Sequence, residues 1–135
     1  MILPGQDGYR EMLVRPYVNS TATAVVEFIA YNYVILRIKM INGVKSVEVP
    51  AVIHREDALY GIKDDDKLNE LFSPGDTVHG RVLSLGESGN IVLSTADESH
   101  GVVKAMDYGT LQEVKLSRGK FVHKGKELKR KTAIL

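Results

Sequence analysis

The stretch "FSPGDTVHGRVLSLGESGNIVLSTADESHGVV", residues 72–103, holds two short strands joined by a glycine-containing turn. In "TVHGRVLSLG", Val78, Gly80 and Val82 alternate with Thr77, His79 and Arg81, the period-two pattern of a strand with one buried face. "NIVLSTA" is the next strand, and Pro74-Gly75-Asp76 punctuates the entry to the pair. An ordinary hairpin needs no such punctuation, so the stretch is read as the closing part of a larger β structure.

Upstream, "TATAVVEFIA" and "YNYVILRIKMI" are rich in β-branched and aromatic residues, and Asn42-Gly43 is a turn signal that leads into a third strand, "KSVEVPAVIH". Val47, Val49, Ala51 and Ile53 share one face of that strand. Pro50 has no N–H to donate, which places the strand near an edge or bulges it there. Between Glu56 and Phe72 the period changes: Leu59, Ile62, Leu68, Leu71 and Phe72 recur at roughly helical spacing, and Asp57 is a candidate cap for a helical turn. Five short strands with a helical insertion between the third and fourth is the order of an all-β, five-stranded OB-fold barrel over residues 21–98. A small sandwich would call for about seven strands. Residues 1–20 read as a short N-terminal segment or reduced lobe, and "GVVKAM", "TLQEVKL" and "GKFVHK" in 99–135 as a small β-rich C-terminal lobe.

The composition, 44% hydrophobic and 26% charged over 135 residues, is that of a globular chain of one compact domain with small additions. The apolar run at the start is too short for a signal peptide, and "YVILRIKMI" is interrupted by Arg37 and Lys39, so a soluble intracellular protein without a membrane partner is expected. The absence of cysteine excludes disulfides and thiolate chemistry. The net charge of +1 is unevenly spread, with eight Lys or Arg against one acid between Lys115 and Lys131. Lys115, Arg118, Lys120, Lys129, Arg130 and Lys131 thus form a basic end suited to RNA or an acidic protein surface, or simply to solvent.

Along the second strand, Val34, Leu36, Ile38 and Met40 share the face that a barrel core requires. The other face carries Tyr31, Tyr33, Ile35, Arg37 and Lys39, rings followed by cations, which suits single-stranded nucleic acid and also suits a plain solvated strand. His54 and Arg55 at the end of the third strand and Lys45 in the intervening turn complete this candidate RNA surface. If its cations dominate, RNA affinity falls steeply with salt. Catalytic readings find little: the four histidines lack the paired spacing of metal motifs, "GESGN" misses the G-x-S-x-G pattern by one place, and Asp64 to Asp66 form a solvated acidic run on a connector. No catalytic residue, metal site or cofactor is expected.

Ile53 with Glu56-Asp57, Phe72, Pro74-Gly75-Asp76, "SLG" at 84–86, "LSTA" at 93–96, "GVV" at 101–103, and Glu127, Arg130, Lys131 and Ala133 near the end together resemble the S1-domain cap subunits of the eukaryotic RNA exosome over residues 22–133. The resemblance implies a non-catalytic subunit, found in nucleus, nucleolus and cytoplasm, that helps hold a ring of ribonuclease-like subunits together and guides RNA to it for processing and degradation. Its implied partners are RNA and the ring and cap subunits. That family's C-terminal lobe is zinc-ribbon-like, and the cysteines that bind zinc in some members are absent here. Arginines common in the family are replaced by Leu59 and Ser73. A free-standing S1-type RNA-binding factor in translation or ribosome function is the alternative.

Overall fold

The computed structural model describes residues 13–86, 89–107, 112–115, 121–123, 126–128 and 130–133. Its strands are β1 (Thr21–Ile29), β2 (Tyr33–Ile41), β3 (Val44–His54), β4 (Thr77–Ser84) and β5 (Ile91–Ser94), followed by β6 (Gly101–Asp107), β7 (Gln112–Lys115), β8 (Phe121–His123) and β9 (Lys126–Leu128). β1 pairs antiparallel with β2 and β2 with β3, β3 runs parallel to β5, and β5 and β1 both pair antiparallel with β4. The first five strands therefore close on themselves, which removes the free edges that an open sheet exposes. This is the OB-fold barrel expected from the strand order. β9 was not foreseen; three residues, "KEL", carry no alternation from which to read a strand.

The barrel is filled by Ala22, Ala24 and Val26, Val34, Leu36 and Ile38, Ala51 and Ile53, Val78 and Val82, and Leu93. Val78, Gly80 and Val82 all point inward, as their alternation requires. The alternation expected for β2 fails at its end: Met40 is 36% exposed and Ile41 takes the buried place. The cause is a register shift between Ile38 and Met40 in the ladder with β3, matched by one opposite Thr23 and Ala24 on β1, which adds a residue and reverses the faces beyond it. A second bulge between Val26 and Phe28 turns Phe28 outward and brings Ile29 back against the core. In β3, Pro50 faces Arg37 of β2, and pairing with β5 begins only at Ala51. Its missing N–H thus faces the side where β3 has no β5 partner.

The connector forms two single turns, α1 (Arg55–Ala58) and α2 (Leu68–Leu71), and not one helix. Asp57 lies within α1, so the expected cap role is not realised; His54 occupies the cap position without a side-chain bond. The "LSTA" residues hold α1 in place instead. Thr95 is fully buried and donates its hydroxyl to the Ala58 carbonyl at 2.7 Å, while the Ser94 hydroxyl and the Thr95 amide donate to the Asp57 carbonyl. Ala58, Leu68 and Phe72 then plug one end of the core.

β6 pairs with β4 beside the barrel and β7 with β6, while β8 and β9 form a separate hairpin. Residues 130–133 return to the barrel: the Lys131 amide donates to Leu71, and its carbonyl accepts from Val102 at 2.7 Å. Gly101 permits this approach, since at its φ of +146° a Cβ would lie 2.5 Å from the Lys131 carbonyl oxygen. Among the described residues no helix is long and apolar enough to cross a membrane.

Candidate nucleic-acid interface

The outward faces of four neighbouring strands line up at one level of the barrel. Phe28 of β1 pairs with Ile35 of β2, Ile35 with Val52 of β3, and Val52 with Val92 of β5. Tyr33 and His54 form the next rung. Tyr33, Ile35, Val52, His54 and Val92, with Gly86 and Asn90 of the β4–β5 hairpin, line an open groove of about 410 Å³. An apolar floor with a phenol and an imidazole beside it offers stacking surfaces to planar rings. Asn90 adds an amide at the rim.

The expected site residues do not all meet there. Tyr33, 39% exposed, and His54 do. Tyr31, 65% exposed, lies in the turn before β2, where the Arg55 guanidinium carbon sits 5.0 Å from its ring centroid. Arg55 is fixed by its Nη2 donating to the Lys63 carbonyl at 2.5 Å and its amide donating to Asn32 at 2.8 Å. Its cation thus supports an aromatic ring and does not point into the groove.

Arg37 and Lys39 stand on β2 as expected, but each faces an acid. Arg37 Nε is 3.3 Å from Glu27 and Lys39 Nζ 2.7 Å from Glu48. The Lys39 ammonium, by hydrogen bond and by charge, holds the Glu48 carboxyl below its ordinary value. Both cations are therefore largely balanced in the free protein, a consequence of cross-strand pairing invisible without the register. Lys45 is exposed, and its carbonyl accepts from the Val14 amide. Beside His54, burial pushes the Asp57 carboxyl up and the Glu56 carboxylate adds to that shift, against the pull of His54.

The basic end divides. Lys115 lies on β7, and its side chain, with Arg118, Lys120 and Lys129, falls outside the described residues. Arg130 and Lys131 are described and point inward. Arg130 Nε bonds the fully buried Asp76 carboxylate at 2.6 Å, and Lys131 Nζ donates to the carbonyls of Asp97, at 2.8 Å, and His100. These two are structural ties within the chain and are withdrawn from the candidate surface.

The sequence reading missed Phe28, Gly86 and Asn90. Gly86 and Asn90 had a signal, since the β4–β5 loop of an OB-fold borders its binding face. Phe28 had none, because only the bulge places it outside.

The barrel order and the position of the groove define an OB-fold of the oligonucleotide-binding architecture. No protein-family model matches the chain. It is, however, similar to the exosome complex component csl4 of Schizosaccharomyces pombe, with 31% identity over 105 residues, 77% of this chain. The chain spans 58% of that relative's length. The barrel is also similar to a crystal structure provisionally described as an exosome complex RNA-binding protein, with a TM-score of 0.53 at 14% identity, over 68% of this chain and 50% of that one. At that identity the likeness is one of fold.

Proposed function

We propose that this chain is a non-catalytic cap subunit of an RNA exosome, which steadies the assembly and passes single-stranded RNA across the β2–β3–β5 groove toward the nuclease. The observation that carries the RNA part is the groove itself: stackable rings over an apolar floor, on the barrel face where oligonucleotides lie in OB-folds. The assembly part rests on similarity to a protein named as an exosome component. RNA processing and degradation, including that of ribosomal RNA, and a distribution over nucleus, nucleolus and cytoplasm follow from that assignment.

The chain supplies no chemistry of its own in this reading. Among the described residues no three His, Asp or Glu side chains gather as metal ligands. RNA is held mainly by stacking, because Arg37 and Lys39 already have carboxylate partners.

A titration of fluorescein-labelled ten-nucleotide RNA with the full chain tests this. Replacing both Tyr33 and His54 by alanine removes two platforms worth about 1–3 kcal/mol each, so affinity falls at least about tenfold. Unchanged affinity in that double variant moves RNA off the groove.

A further inference from the structure

A second cavity, about 260 Å³, is lined by Ile29, Ala30, Tyr31, Lys67, Leu68 and Asn69. It joins the end of β1 and the turn before β2 to the residues around α2. We infer that this cavity is a subsite for one unstacked purine base of the RNA, adenine in preference, with Tyr31 as its stacking platform and Asn69 reading its edge. The inference rests on the RNA-binding reading and adds a residue-level preference to it.

Size comes first. The cavity is smaller than the roughly 300–1,000 Å³ of pockets for drug-sized ligands, so it suits one ring system and not a folded chain. Its surfaces are divided as a nucleotide needs. Ile29, Ala30 and Leu68 are apolar, and Tyr31 presents a ring that is 65% exposed. That ring is held from outside the cavity by Arg55, which does not line it and is itself anchored to Lys63 and Asn32. A platform fixed before binding loses little freedom on stacking.

The polar groups are uncommitted. Asn69 and Lys67 are exposed, and their side chains make no hydrogen bond or ion pair with any described residue. An amide presents a donor beside an acceptor, matching N6–H and N7 of adenine in a bidentate pair. An ammonium beside it suits the phosphate of the same nucleotide. A purine also covers more of the tyrosine ring than a pyrimidine does. Arg37 and Lys39 offer no comparable free cation, since both are paired.

The test compares labelled oligo(A) and oligo(U) of ten nucleotides, titrated with the full chain at constant salt. Wild type binds oligo(A) more tightly. Asn69→Ala lowers oligo(A) affinity about fivefold or more and leaves oligo(U) within about twofold. Asn69 is on the surface, so the variant keeps the fold. Tyr31→Ala weakens both strands by about five- to tenfold or more. Equal effects of Asn69→Ala on both strands, or none on either, overturn the subsite, and Tyr33 and His54 variants that still lose binding show the groove reading standing without it. A wild-type chain that binds neither strand overturns both.

Discussion

Asp76 and Arg130, 54 positions apart in the chain, share a 2.6 Å ion pair in which the carboxylate is wholly buried. The Asp76 carboxylate also accepts from the Ser73 amide at 2.9 Å and the Met106 amide at 2.8 Å, while Arg130 Nη2 donates to the Met106 carbonyl at 3.1 Å. Three segments thus meet at one carboxylate: the turn entering β4, the strand β6 and the returning end. That is why Pro-Gly-Asp opens the hairpin. Gly75 and Asp76 also clasp β1, through the Gly75 amide to the Val26 carbonyl and the Val26 amide to the Asp76 carbonyl.

Breaking this pair by removing one partner leaves the other buried without its counter-charge. Asp76→Ala and Arg130→Met are each expected to cost about 3–5 kcal/mol, read as a lower urea midpoint. The double variant costs less than the sum of the two. Additive losses contradict a coupled pair.

The ion pairs of β2 give a prediction of opposite sign. Glu27→Gln with Glu48→Gln releases Arg37 and Lys39 to meet phosphate, so RNA affinity rises. The slope of log affinity against log salt steepens by about 0.7 for each cation recruited. Stability changes little, because both pairs are exposed and screened by solvent. Binding of labelled RNA between 50 and 200 mM salt reads the slope; an unchanged slope shows that these cations do not reach the strand.

Much of this architecture was legible in the sequence because alternation reports a two-faced strand directly: Val78, Gly80 and Val82, or Val34, Leu36 and Ile38, needed no structure to be placed. Bulges are where that legibility stops. Nothing in "VVEFIA" or "RIKMI" announces an extra residue, so Phe28 and Met40 could not be turned outward from the sequence alone. The candidate surface was half readable for a related reason. Residue types marked Tyr33 and His54, but only cross-strand register pairs Arg37 with Glu27 and Lys39 with Glu48, and only tertiary folding draws Arg130 and Lys131 inward.

Gly86 lines the groove at φ +68°, where an added Cβ would lie 2.0 Å from the Asn90 carbonyl oxygen. Gly86→Ala must open the hairpin. The expected cost is about 1–3 kcal/mol of stability, with a loss of RNA affinity as the Asn90 rim moves. Thermal unfolding and RNA titration read the two effects; wild-type behaviour in both removes the hairpin from the interface.

His79, half buried on β4, sets the acid response. Burial lowers its pKa and the charge of His100 adds to that. Between the depressed native value and about 6.5 the unfolded chain binds more protons than the folded one, so stability falls as pH falls through that window. At lower pH Asp97 acts in the same sense: burial pushes its carboxyl up, but the Ser99 hydroxyl and His100 outweigh this and hold it below its ordinary value. Asp76 acts against them, because burial pushes its carboxyl up over the opposing pull of the Met106 amide and Arg130. Comparing urea midpoints of wild type and His79→Gln from pH 7.5 to 5 isolates the histidine. The variant's profile is flatter below pH 6.5; parallel profiles contradict the assignment.

The central claim is membership of an exosome, and purification of the tagged chain from its own cells at moderate salt, with mass spectrometry of what accompanies it, tests that most directly. The account predicts ring and other cap subunits in amounts comparable to the tagged chain, retained after ribonuclease treatment. Ribosomes, or RNA without those subunits, would contradict it and leave a free-standing RNA-binding barrel.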